Sequence, residues 1–437
     1  MNEDKSTKRR YSPMTWIPSV YFAMGFPFVV LNMVAVLMFK GLKISDSQIA
    51  LWTSLIMIPW TLKPLWSPLL GMYRTKKFFV VLTQLLTGCI FGLVALVLNM
   101  PNFFAIAIAL LAIIAFSGAT HDVATDGVYM DELSAEDQAK YIGWQGAFYN
   151  LAKIVATGGL VYLAGYMISY FSRKYDGENA IVYAWMSVML LCGVIMVLLG
   201  LYHTKMLPSG KAAKENVSLK ESMIELWDVF REFFTKKHIV WYICFIILYR
   251  FAEGFVVKIV PLFLKAPVDQ QGLGLSEQEI GLYYGTFGAA AFVFGSVLAG
   301  YYISAKGLRK VLFRLCCCFN IPFLVYMFLA FYQPASGILI AAAIIFEYFG
   351  YGFGFAGLIL FMMQQVAAGK HQMAHYAFAS GIMNLGVMVP GMISGFISDW
   401  IGYKYFFVFT VIAMIPSFLV AYFVPFTYND KGEKLKD

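Results

Sequence analysis

The chain has 437 residues, of which 60% are hydrophobic and 13% charged, with a formal net charge of +8. A soluble globular domain carries about 25% charged residues, so the composition excludes a soluble fold and implies an all-α polytopic membrane protein. The positive balance calls for no nucleic acid, because the basic residues gather on one side of the predicted spans.

Twelve apolar runs are each long enough to cross a bilayer, which takes about 20 helical residues. They predict α1 over 15–39, α2 over 46–71, α3 over 77–99, α4 over 103–128, α5 over 140–168 and α6 over 181–203. After a polar stretch, α7 covers 238–264, α8 277–302, α9 310–331, α10 337–364, α11 372–397 and α12 402–426. The chain thus divides into a first half over 1–203, a linker over 204–237 and a second half over 238–437. Lys5, Lys8, Arg9 and Arg10 precede α1 without a cleavable pattern, so α1 is expected to act as an uncleaved signal.

Lysine and arginine set the orientation. With the N-terminus inside, the inner segments hold 22 of them and the outer segments six. Both termini are therefore expected in the cytoplasm.

In α2, Lys63 precedes Pro64 near the cytoplasmic end, where its stem can snorkel. The run Phe103 to Phe116 of α4 continues into His121, Asp122 and Asp126. The two acids are four residues apart and share a helix face. A carboxylate at mid-bilayer costs about 2.5–3.5 kcal/mol on insertion scales, so both are candidates for carrying a proton. Ser117, Thr120 and Thr125 extend the polar patch into the span around Asp122, whereas Asp126 lies nearer the acidic loop. In α5, Lys153 lies deep enough to meet an anionic substrate. In the linker, Ser218 to Phe234 carries apolar residues at three- and four-residue spacing, the pattern of an amphipathic helix on the membrane surface or under the bundle.

Arg250 and Glu253 of α7 are three residues apart and can pair, and Lys258 follows them. The pair reads either as a structural ion pair or as one opened by a proton or an anion. Glu347 in α10 is a lone intramembrane acid and a third candidate proton carrier. Tyr21, Trp144, Tyr149, Tyr249, Tyr348 and Tyr351 lie beside these charges, where a ring can stack on a sugar or simply pack in the core. Pro390 is expected to kink α11. The six cysteines fall inside predicted helices with no metal-ligand spacing and read as small buried hydrophobes. Neither a metal site nor a nucleophile motif is legible, so no cofactor and no enzymatic activity are expected.

The halves repeat each other. Phe22-Ala23-Met24-Gly25-Phe26 in α1 matches Phe251-Ala252-Glu253-Gly254-Phe255 in α7, so Glu253 is an addition to the repeated scaffold. Ser45 to Trp52 matches Ser276 to Tyr283, and both copies read as capping boxes, with Gln48 and Glu279 three residues after the serine.

The motifs together resemble the AmpG-type muropeptide permeases, a branch of the major facilitators that also resembles the acetyl-CoA transporters. The motifs are Leu62-Lys63-Pro64-Leu65-Trp66-Ser67-Pro68-Leu69-Leu70, Asp122 with Asp126, Leu248-Tyr249-Arg250-Phe251-Ala252-Glu253, Glu347-Tyr348-Phe349 and Tyr376-Ala377 with Ser380. Six-helix halves in the same order and sense are the design of that superfamily. The resemblance implies proton-driven import of N-acetylglucosaminyl-1,6-anhydro-N-acetylmuramic acid, with or without its peptide, across a bacterial inner membrane by a monomer. Asp122, Asp126, Glu253 and Glu347 would couple protons. Lys153, Arg250, Asn150, Tyr149, Tyr249, Tyr348 and Trp144 would face the substrate. The chain departs from the family at Gly71-Met72-Tyr73, which lacks the usual acid, and at Asn150, where the family has arginine. A transporter of another anion on the same fold, such as acyl-CoA, a siderophore or another sugar, and a membrane sensor remain open alternatives.

Overall fold

The computed structural model describes residues 12–66, 70, 74–133, 135–210, 219–369, 371–429 and 434–435. Lys5, Lys8, Arg9, Arg10, Lys211, Lys214, Lys370, Lys431 and Lys436 lie outside the described residues, as do the motif residues Ser67 to Leu69 and Gly71 to Tyr73.

Nine described helices are long and apolar enough to cross a membrane. They include α1 (Pro13–Gly41), α3 (Lys76–Val97), α4 (Phe103–Glu132), α6 (Gly177–Met206), α8 (Glu277–Lys306), α9 (Leu308–Tyr332) and α10 (Gly337–Val366). Another is α5, over 135–171, whose apolar part is Trp144–Phe171. The last, Ala374–Phe423, holds two spans, because Gly402 takes φ 74° and divides α11 (372–401) from α12 (403–423). Only glycine adopts that backbone without strain.

The remaining two spans are broken helices. α2 consists of Asp46–Leu55, Ile58–Leu62 and a tight turn Lys63–Leu65, since Pro64 has no donor to continue the helix. α7 is interrupted at Arg250 (φ −99°, ψ 7°), between Ile239–Tyr249 and Phe251–Lys265. α11, by contrast, is helical through Pro390.

The predicted caps are met unequally. Ser276 and Glu279 form the full capping box at the start of α8. Ser45 accepts from Gln48 N, but the Gln48 side chain turns to the Ser45 hydroxyl instead of the backbone, so only half of that box exists. Thr75 and Ser336 cap α3 and α10 by the same chemistry. Of the six cysteines, only Cys192 and Cys316 are buried. Cys89, Cys244 and Cys318 lie exposed on the apolar outer surface, where sulfur is as well accommodated as in a core.

The linker helix spans Leu219–Phe234, as its periodicity requires. Val229 and Phe233 are buried: the Val229 carbonyl meets His375 Nε2 of α11 at 3.2 Å, and the Phe233 ring packs on Phe378. After it, Lys236 donates to the Val366 and Ala368 carbonyls at the end of α10 (2.8 and 2.7 Å), and burial pushes its ammonium down to about 8.

The two halves meet closely at the end of the bundle away from the termini, the far end. There α2 packs on α11, and a π-helical turn of α5 (Ile154–Leu160) packs on one of α8 (Gly281–Gly288). Thr157 Oγ1 donates to the Gly285 carbonyl at 3.3 Å. A Cβ on Gly285 would lie 2.4 Å from the Thr157 carbonyl oxygen, and one on Gly395 would lie 2.4 Å from that of Asp46. Polar bonds reinforce the approach: Tyr403 of α12 donates to Asp46, Lys40 pairs with Asp46 at 2.6 Å, and Asp399 accepts from Ser47 N at 3.2 Å.

The closeness of the Gly395 contact generates a prediction. Gly395→Leu is expected to prevent far-end closure at an overpacking cost of about 1–3 kcal/mol, on the order of ten- to a hundredfold in the closed population. In a background lacking the native cysteines, faster thiol labelling of Ser47→Cys in that variant would show it, and an unchanged rate would refute it.

Candidate functional site

Each half presents a cluster of polar groups inside the apolar bundle. In the first half, Asp122 is buried and its Oδ2 accepts from Trp60 Nε1 at 2.9 Å. Lys63 Nζ lies 3.6 Å from the same oxygen. Lys63 therefore does not snorkel: the turn at Pro64 brings its stem back against α4. Asp122 Oδ1 is buried and has no hydrogen-bond partner. Asp126 is exposed, and its Oδ1 accepts from the Tyr21 hydroxyl of α1 at 3.0 Å.

Behind Asp122, the adjacent His121 points into a separate buried network. Its Nε2 meets Gln84 of α3 at 2.9 Å, Gln84 Oε1 meets His203 Nδ1 of α6 at 2.8 Å, and His203 Nε2 meets Ser19 of α1 at 2.9 Å. These bonds join α4 to α3, α3 to α6 and α6 to α1, and the first of them holds the rotation of the helix that carries the acids. Gln84, His203 and Ser19 are not among the residues predicted for the site. A glutamine within an apolar span such as α3 is the signal that points to this network.

In the second half, the break at Arg250 starts a new helix with Glu253 in its first turn, where the positive end of the helix favours a carboxylate. Arg250 binds both oxygens of Glu253 through Nε and a terminal nitrogen. Tyr351 of α10 adds a third donor to Glu253 at 2.7 Å, and the guanidinium lies 5.1 Å from the Phe355 ring centre. Glu347 is buried as well, but its named partner is the neutral Tyr326 hydroxyl of α9 at 2.7 Å. Tyr326 carried no sequence signal, since the contact depends on how α9 packs on α10.

Lys153 is the predicted site residue that reaches across. It belongs to α5 of the first half, yet its ammonium lies 4.5 Å from the ring centre of Phe292 in α8 and 5.7 Å from that of Tyr348 in α10. Glu253 and Glu347 are within electrostatic range, but among the described residues no carboxylate forms a salt bridge with it. The structure thus brings Lys153, Tyr348, Arg250, Glu253 and Glu347 to one region.

The other predicted residues are placed differently. Asp122 has its hydrogen bond and its ion pair within its own half and meets no charge of the second half directly. Tyr149 packs against Gly25 of α1, and Asn150 Nδ2 is spent on the Gly146 carbonyl at 2.8 Å. Trp144 is exposed and stacks on Phe148. Tyr249 is fully buried inside the second half, with its hydroxyl on the Gly354 carbonyl at 2.8 Å, so it presents no surface to a solute. Among the described residues, no three His, Cys, Asp or Glu side chains are grouped to hold a metal.

The Major Facilitator Superfamily profile matches residues 19–376. The chain is 23% identical over 381 residues to the anhydromuropeptide permease of Escherichia coli (strain K12), covering 84% of this chain and 70% of that protein. It is also 23% identical over 379 residues to the putative transporter AmpG 2 of Rickettsia prowazekii, covering 84% of this chain and 85% of the relative. Among solved structures, a D-xylose–proton symporter superposes with TM-score 0.70 at 12% identity, over 97% of this chain and 99% of that one. A bacterial homologue of the human lysosomal transporter Spinster, inward-facing and occupied, superposes with TM-score 0.68 at 16% identity, over 94% and 95%. At those identities the structural likeness establishes the fold alone. Fold, profile and relatives agree: the chain belongs to the Major Facilitator Superfamily and is similar, within it, to the AmpG-type permeases.

Proposed function

We propose that this protein imports an anhydromuropeptide, or a closely related anionic amino-sugar conjugate, across a bacterial inner membrane by proton-coupled alternating access, with both termini in the cytoplasm. The observation that carries the reading is Lys153. Its ammonium crosses from one half to the rings of the other without a salt bridge among the described residues. A half-buried cation beside aromatic rings is a ready partner for a sugar that bears a carboxylate: the charge meets the anion and the rings stack on the pyranose. The similarity to an anhydromuropeptide permease supports that substrate class. The distribution of 22 inner against six outer basic residues supports the orientation. With that orientation, the closed far end faces outward.

The four carboxylates are unequally suited to carry a proton. Glu253 is held by three donors, so its role is to anchor Arg250. Asp126 is exposed and tied to Tyr21. Asp122, with one idle oxygen, and Glu347, with a neutral phenol for a partner, are the incompletely compensated acids. A proton on Glu347 breaks no ion pair among the described residues, and one on Asp122 releases Lys63, which lies 3.6 Å away.

Two outcomes test this. Asp122→Asn is expected to abolish uphill uptake of the disaccharide in proteoliposomes with an inward proton gradient while leaving counterflow exchange intact. Retained uphill uptake would remove Asp122 from the proton path. Lys153→Met is expected to raise KM for the anionic disaccharide by about tenfold to a hundredfold, the worth of one charge-assisted hydrogen bond. It should leave KM unchanged for the same sugar with its carboxylate converted to an amide. Equal effects on both sugars would mean that Lys153 only shapes the site.

A further inference from the structure

Lys258 lies five residues beyond Glu253 on α7 and is not among the residues of the site around Lys153. Its side chain is 4% exposed. Nζ donates to Asn32 Oδ1 of α1 at 3.3 Å and to the Thr53 carbonyl of α2 at 3.4 Å, both in the opposite half. Among the described residues it has no carboxylate within ion-pair distance. Arg250, Lys40 and Lys265 each have one.

The surroundings are polar and under-used. Asn32 sits on a π-helical turn of α1 (Val30–Val34), a feature frequent at functional sites. Its Nδ2 donates to the Phe28 carbonyl at 3.0 Å. The Ser54 hydroxyl is buried without a hydrogen-bond partner, and a Cβ on Gly391 of α11 would lie 2.8 Å from it and 3.3 Å from Lys258 Cγ. The two halves therefore shut over one ammonium, one idle hydroxyl and two neutral acceptors.

A cation dehydrated against neutral oxygens disfavours the arrangement that buries it. Opening the far end would break the bonds to Asn32 and Thr53 and return the ammonium to water, facing the entry path. We propose that Lys258 is a second anion-binding subsite, sealed by Asn32 and Thr53 in this conformation and offered to a carboxylate-bearing solute when the halves part at the far end. The inference rests on the anionic substrate of the preceding reading. Lys258 lies eight residues from Arg250, about 12 Å along the helix, so an anion entering from that end passes it on the way to Arg250 and Lys153. The same charge keeps the empty closed state from becoming a trap.

The experiment uses the full chain without its six native cysteines, carrying Ser54→Cys, and follows labelling by N-ethylmaleimide. Lys258→Met keeps the length and removes the charge. Lys258→Gln keeps hydrogen-bonding capacity toward Asn32 and Thr53 and also removes the charge. Both are expected to slow labelling about tenfold with no solute present, because closure no longer dehydrates a cation. Both should also raise KM for the anionic disaccharide about tenfold or more, with Lys258→Arg close to the parent. If Lys258→Gln labels at the parental rate, or either variant labels faster, Lys258 is a simple latch and the proposal fails. Unchanged KM in a chain that transports the disaccharide also overturns it. The labelling arm contains no muropeptide, so a chain that ignored muropeptides would sink the substrate reading while still deciding on Lys258.

Discussion

Each charge that α4, α5, α7 and α10 carry into the apolar interior must be met by a group of the protein, because lipid offers neither counter-ion nor donor. The degree to which each is met is uneven, and the unevenness is organised. Arg250 and Glu253 satisfy each other and recruit Tyr351 and Phe355, all inside one half. Lys153 and Lys258 are met by rings or neutral oxygens of the opposite half. Among the cations of α5 and α7, the one that is fully paired, Arg250, is thus met within its own half, and the two without a counter-ion among the described residues, Lys153 and Lys258, lie on the seam. That is the distribution a rocking mechanism needs: a fully paired charge resists rearrangement, whereas a half-met one changes partners at small cost.

Backbone geometry decides which ends of the seam can close. At the far end, Gly395 and Gly285 let main chains approach until no Cβ would fit. The π-helical turns of α5 and α8 face each other there, so Thr157 can bond a carbonyl of the other half. In lipid, where the hydrophobic effect gives helices little reason to associate, small-residue contacts and polar bonds between helices supply most of the attraction. Such an interface is strong when shut and loses nearly all of its contacts together when opened, which favours two discrete states over a continuum.

Much of this arrangement was legible in the sequence. Apolar run length predicted the spans, three- and four-residue periodicity predicted the linker helix, and the i,i+3 spacing of Arg250 and Glu253 predicted their pairing. What escaped were features decided by packing between distant segments. The break at Arg250 has no proline or glycine to announce it at that position. Depth alone allows Lys63 to snorkel, but the turn at Pro64 brings it to Asp122. Tyr249 sits in a motif with Arg250, yet the helix turn between them sends its ring into the core and onto Gly354. Ser45 shows that a capping motif guarantees only the first of its two bonds, since glutamine has a second way to use its amide.

The position of Lys153 gives the proposed coupling its physical content. A solute can shift an equilibrium between two conformations only by binding one better than the other. A cation belonging to one half and resting on the rings of the other is a contact whose strength depends on how the halves are disposed. An anion that draws Lys153 away from Phe292 and Tyr348 therefore changes the relative free energy of the two dispositions. Glu347, adjacent in sequence to Tyr348 and within electrostatic range of Lys153, adds a second control at the same contact. As a carboxylate it attracts the ammonium toward α10, and once protonated it does not. Proton and anion would then act on one cross-half contact from opposite sides, so coupling requires no pathway through the rest of the bundle.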